Sequence, residues 1–86
     1  MDRTKLLDVF RMKAGEVAER DFDSLEESSV IAEMGVDSLA MLEVVGELER
    51  EFDVQVPDDE LVGIDTVGQL LDLVQKRILE AKRDGA

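Results

Sequence analysis

Apolar residues recur at spacings of three and four in three stretches, parted by two long segments rich in acids and turn-forming residues. From Thr4 to about Glu19, Leu6, Leu7, Phe10, Ala14, Val17 and Ala18 mark one face. Lys5, Asp8, Arg11 and Glu19 fill the other, which predicts a first helix. Gly15 is its weak point, where the helix is expected to end or bend. From Ser38 to Phe52, the side chains of Met41, Val44, Val45, Leu48 and Phe52 fall within an arc of about 100°, a normal core-facing stripe. Val67, Leu70, Leu71, Val74 and Ile78 mark a third stripe, opened by the capping box Thr66-Val67-Gly68-Gln69. Lys76, Arg77, Lys82 and Arg83 load its far end, where cations suit the helix dipole. The tail, about 80–86, is expected to fray.

The connections carry their own signals. Between Asp21 and Glu33, Phe22, Leu25, Val30 and Ile31 are expected to anchor the chain to the core, with Asp23, Ser24, Ser28 and Ser29 supplying turns. A short helical turn is expected around Val30 to Met34, with Met34 buried just before Gly35. Val54 and Val56 imitate a strand, but no partner strand is in sight and Pro57 ends the run. Asp58 to Val62 reads as a short helix with acids at its positive end. Its acidic triplet does not have the spacing of a calcium-binding loop, and no metal site is expected. The predicted fold is all-α, a small bundle of three main helices plus one short helix, in a single domain over residues 1–86.

Charge narrows the partners. The net charge is −12, and residues 33–65 hold eleven acids against one base, Arg50. Such a field repels nucleic acid and anionic membranes and steers basic protein surfaces in. The plainer alternative is a solvated surface that only aids solubility. The chain has no cysteine and no histidine, so thiolate chemistry and a Ser-His-Asp arrangement are excluded. No apolar run reaches membrane-spanning length and Met1 to Lys5 lacks a secretory region, so a cytoplasmic location is expected.

The middle helix has more apolar surface than one core can take. Leu39, Leu42 and Gly46 cluster away from the core stripe, edged by Glu43, Glu47 and Arg50, which marks a docking surface. Gly35 supplies a flexible turn before the helix, and Asp37 is a good N-cap. Ser38 then falls at the first helical position with its hydroxyl free. The plainer alternative is that Asp37 or Ser38 merely caps the helix.

Several segments resemble an acyl carrier protein: Glu33-Met34-Gly35-Val36-Asp37-Ser38-Leu39, then Leu42-Glu43, Leu48-Glu49-Arg50-Glu51-Phe52 and Val56-Pro57-Asp58-Asp59-Glu60. The likeness is dense from about Glu33 to Leu73. The family motif is Gly-x-Asp-Ser-Leu, and the resemblance implies that Ser38 carries covalent 4'-phosphopantetheine, with Asp37 at the transferase contact. It also implies a carrier rather than an enzyme, a phosphoprotein whose arm is installed by a phosphopantetheinyl transferase and which shuttles acyl thioesters between a ketosynthase, an acyltransferase and other acyl-processing enzymes. Leu39, Leu42, Glu43, Gly46 and Glu47 are the expected partner-binding residues, and the chain is expected to act alone as a discrete monomer. The acyl chain is expected to enter the bundle beside Val45, Leu48 and Leu71. Ala40, Gly46 and Arg50 depart from the fatty-acid pattern, which favours a polyketide or other specialised-metabolite carrier over a housekeeping fatty-acid one. The acidic helix is of the acyl rather than the peptidyl type. A different class, an unmodified helical adaptor using the same patch, leaves the placement of Asp37-Ser38 as coincidence.

Overall fold

Helices α1 (Arg3–Ala18), α2 (Ser38–Phe52) and α3 (Val67–Gly85) form where the three apolar stripes run. The computed structural model describes the backbone of residues 2–85 and the side chains of residues 2–82. Two 3-10 turns, Ile31–Met34 and Asp58–Leu61, stand in the two connections. The first is the helical turn expected before Gly35, and the second is the short helix expected after Pro57. The backbone of α3 stays helical to Gly85, and Ala86, the end of the stretch expected to fray, lies outside the described residues.

Capping chemistry sets the helix ends. Asp2 Oδ1 accepts from Thr4 N–H at 2.9 Å to start α1. Thr66 Oγ1 accepts from Gln69 N–H at 3.2 Å while Gln69 Oε1 accepts from Thr66 N–H at 3.1 Å, the reciprocal pair expected of a capping box. α1 runs through the soft spot at Gly15 to Ala18, close to the end expected at about Glu19, and Gly15 serves the reversal that follows: a methyl group there would lie 2.8 Å from the Arg20 carbonyl oxygen.

The core is aliphatic apart from the rings of Phe10 and Phe22. Leu6, Phe10 and Ala14 of α1 meet Val44, Val45 and Leu48 of α2 and Val67, Leu70, Leu71, Val74 and Ile78 of α3. Phe22, Met34, Val54 and Val56 bring the connections into the same core. Leu25, Ile31, Met41 and Phe52 pack against it while half-buried, whereas Val30, expected as an anchor, lines the cleft beside α2 instead. Each fully buried side chain of this size contributes about 1.5–3 kcal/mol of hydrophobic stabilisation, which is what closes three short helices on one another.

Among the described residues Val54–Val56 finds no partner strand, as expected, and Val30 and Thr66 form an isolated antiparallel bridge. Around it, Ile31 N–H donates to Asp65 O at 2.9 Å and Val67 N–H donates to Ser29 O at 3.0 Å. The two connections are thereby tied to each other below the start of α2.

Guanidinium groups hold the first connection. Arg3 donates to both carboxylate oxygens of Glu27 at 2.9 and 3.1 Å, to Asp72 at 2.6 Å and to Gly68 O at 2.8 Å. Arg11 Nε donates to Leu25 O at 2.8 Å, and Arg20 Nη1 donates to Met34 O at 3.0 Å. These three arginines fasten a long loop whose backbone is also paired internally and with the start of α3.

Candidate functional site

The site begins at a glycine turn. Gly35 has φ +78°, a left-handed conformation that other residues rarely adopt, and it terminates the first 3-10 turn. A methyl group at Gly35 would lie 2.6 Å from Arg20 Nη1, the same nitrogen that holds Met34 O. Arg20 also lies over the Phe22 ring, 5.5 Å from its centroid. The end of α1 and the first connection thus fix the direction in which the chain enters α2.

Asp37 caps that helix as expected. Its Oδ1 accepts from Ala40 N–H at 2.8 Å, and its carbonyl accepts from Met41 N–H at 3.0 Å. Ser38 is the first residue of α2 and is exposed. The N–H groups of a first helical turn have no acceptor within the helix, so a free hydroxyl at this position stands in positive potential. Such a position suits a phosphodiester linkage.

A cleft of about 740 Å³ opens beside Ser38 and Asp37. Ile31, Val36 and Met41 line it, together with Leu61, Val62 and Ile64 of the second connection. An exposed hydroxyl beside an open, mostly apolar cleft fits a long, flexible prosthetic arm. Val45, Leu48 and Leu71, expected to line the acyl path, are not in this cleft. They are packed in the core between the helices at 3%, 0% and 0% exposure.

Leu39 and Leu42 stand on the outer face of α2 at 67% and 42% exposure, and Glu43 beside them is exposed. Gly46 and Glu47 follow, both half-buried. The two acids differ. Among the described residues Glu43 makes no ion pair, whereas Glu47 accepts from Arg50 Nη2 at 2.6 Å and has Lys13 Nζ at 3.9 Å. Hydrogen bonding from Arg50, with the charges of Arg50 and Lys13 added and slight desolvation opposing, holds the Glu47 carboxyl below the ordinary glutamate range.

Lys13, Arg20 and Arg77 were not legible as parts of this region. Lys13 reaches Glu47 and Glu51 from α1, and Arg77 of α3 pairs with Glu60 in the second 3-10 turn, next to Leu61 of the cleft lining. Each pairing spans 17 or more positions in the chain or links separate elements, so no local spacing marks it. The acidic stretch is accordingly less negative in the fold than in the sequence.

The family model for the phosphopantetheine attachment site matches residues 8–74. The chain is 39% identical over 54 residues to an acyl carrier protein of Amoebophilus asiaticus, spanning 63% of this chain and 68% of that protein. Its structure is similar to that of the acyl carrier protein of Thermotoga maritima, with a TM-score of 0.85, 32% identity and coverage of 93% of this chain and 94% of that one. It is also similar to a hexanoyl acyl carrier protein from the actinorhodin polyketide synthase of Streptomyces coelicolor, with a TM-score of 0.67, 31% identity and coverage of 84% and 88%.

Proposed function

This chain belongs to the acyl carrier protein family, and we propose that Ser38 is the residue through which it carries its cargo. The family's prosthetic group is covalently attached 4'-phosphopantetheine, and its members are carriers, not catalysts. When bound, the group supplies a terminal thiol that holds acyl chains as thioesters. The chain's own residues do the rest. Asp37 and the Gly35 turn orient the helix start, Ser38 offers its hydroxyl to the transferase, and the free N–H groups of the first turn meet the phosphate. No base within the chain is needed, because the transferase brings it.

The observation that carries the assignment is the exposed Ser38 hydroxyl at the capped start of α2, opening onto the cleft. Leu39, Leu42, Glu43, Gly46 and Glu47 then form the docking face, meeting a phosphopantetheinyl transferase and acyl-processing enzymes such as a ketosynthase or an acyltransferase. Transient contacts of this kind suit a shuttle that must release each partner. Ala40, Gly46 and Arg50 favour a polyketide or other specialised-metabolite pathway, and the likeness to the carrier of the actinorhodin polyketide synthase supports that reading. Among the described residues no helix is long and apolar enough to cross a membrane. A cytoplasmic monomer is the form we assign to it.

Intact mass after incubation with coenzyme A, magnesium and a broad-specificity phosphopantetheinyl transferase tests the assignment. The expected result is a gain of one phosphopantetheine, absent in a folded Ser38→Ala variant. A gain that persists in Ser38→Ala moves the attachment point elsewhere. No gain with several transferases, on folded protein, favours the unmodified adaptor.

A further inference from the structure

Arg20 stands apart from the other arginines of this acidic chain. Among the described residues Arg3, Arg11, Arg50 and Arg77 each pair with a carboxylate, whereas Arg20 makes no ion pair. Its cation is spent on a ring and a backbone carbonyl instead. The guanidinium lies over Phe22, 5.5 Å from the centroid, and Nη1 donates to Met34 O at 3.0 Å. That carbonyl ends the first 3-10 turn, and among the described residues no backbone N–H of the Gly35 turn or the start of α2 donates to it. A charged donor on such a carbonyl holds it more firmly than a neutral one does.

The support behind this contact is built at the end of α1. Glu19 turns the chain out of the helix with φ +55°, and Arg20 N–H donates back to Gly15 O at 3.2 Å. The backbone of Arg20 is thereby held to α1, and its head is braced on the buried Phe22. The start of α2 has no substitute for this support. Asp37 and the buried stripe Val44, Val45 and Leu48 hold the helix itself. They do not hold the Met34–Gly35 peptide, and a glycine at φ +78° reaches other conformations at little cost. Ser38 follows Gly35 by three residues, at most about 11 Å of chain, so a change at the turn alters the surface through which its hydroxyl is approached.

We propose that Arg20 is a positioning residue for the loading of Ser38: by gripping the Met34 carbonyl from α1, it keeps the Gly35 turn in the conformation that a phosphopantetheinyl transferase accepts. It acts through the turn and not on the reacting atoms. A chain whose turn is competent only part of the time binds the transferase more weakly in proportion to the competent fraction, and reacts as fast once bound. Loss of Arg20 therefore raises KM for the chain and leaves kcat alone. This rests on the assignment of Ser38 as the attachment point.

The test measures initial rates of loading of the full chain with coenzyme A, magnesium and one transferase, after thermal midpoints have shown each variant to be folded. Arg20→Met keeps a long side chain against Phe22 and removes the donor. Its KM for the chain is expected to rise about fivefold, with kcat within about twofold of the natural value. Arg20→Lys restores a charged donor and is expected to recover most of that loss. The amide signals of Gly35 and Val36 are expected to shift in Arg20→Met and to lie near their natural positions in Arg20→Lys. Ile78→Val, a core change in the second half of α3, is expected to lower the thermal midpoint and leave KM unchanged. The role of Arg20 is overturned by a KM for Arg20→Met within about twofold of the natural chain, or by a loss carried in kcat instead. An Arg20→Lys no better than Arg20→Met, or an equal rise of KM in Ile78→Val, overturns it too. Failure of the natural chain to load, or loading that persists in Ser38→Ala, removes the assignment of Ser38 itself, and the two failures are read separately.

Discussion

The two connections between the helices are both long, yet they are held in different ways. The first, between α1 and α2, is fastened by Arg3, Arg11 and Arg20 and buries Phe22 and Met34. It ends at the turn that presents Ser38. The second, between α2 and α3, buries Val54 and Val56 early and then loosens. Its later part forms a wall of the cleft, is tied to α3 through Glu60 and Arg77, and leaves Val62 at 83% exposure. The contrast is between firm anchorage at the turn before Ser38 and looser tethering in the wall of the cleft.

Substitutions that sharpen this contrast differ in expected size. Met34→Ala opens a void behind the turn and is expected to cost about 2–4 kcal/mol of unfolding free energy, read from denaturant midpoints at constant slope. Its counterpart in the second connection, Val62→Ala, is expected to stay within about 0.5 kcal/mol. Equal losses would erase the distinction between the two connections.

Gly35→Ala is next. It forces a left-handed backbone on alanine and presses a methyl group toward Arg20 Nη1, for an expected loss of about 1–2 kcal/mol. Arg20→Ala alone frees the Met34 carbonyl. The double variant is expected to cost less than the sum of the two, because both changes act on one turn. Strict additivity would show that Arg20 does not hold the turn.

Arg77→Met is a smaller change. Removing the partner of Glu60 is expected to speed amide exchange at Ile64, whose N–H donates to Leu61 O, more than at Leu25, whose N–H donates to Phe22 O. Acceleration of both to the same degree would argue for general loosening rather than release of the wall.

The smallest effect concerns Glu47. Its folded carboxyl titrates below the ordinary glutamate value of 4.5, so this group contributes stability above the ordinary value and loses it as pH falls through the depressed one. Arg50→Ala is expected to move the midpoint back up, followed by carboxyl carbon chemical shift. A midpoint that stays put would leave Lys13 as the partner that matters.

The sequence disclosed much of this molecule for local reasons. Val67, Leu70, Leu71, Val74 and Ile78 were all expected in the core and all are buried, since a helix places such spacings on one side. Asp37 and Thr66 were expected to cap, and both do, since a cap is decided within three residues. Glycine is poor in helix interiors, whereas at Gly15 the chain returns so closely over it that a side chain has no room.

Periodicity, caps and the Gly35-to-Leu39 motif were thus enough to place three helices, their inner faces and the exposed serine, because each depends on neighbours within a turn or two. The path of the cleft, the arginine contacts that hold the first connection, and the difference between Glu43 and Glu47 depended on residues far apart in the chain. Val45, Leu48 and Leu71 lie packed in the core between the helices, apart from the cleft beside Ser38. Which apolar side chains touch each other, and which carboxylate a cation reaches, is settled by the three helices meeting at close range.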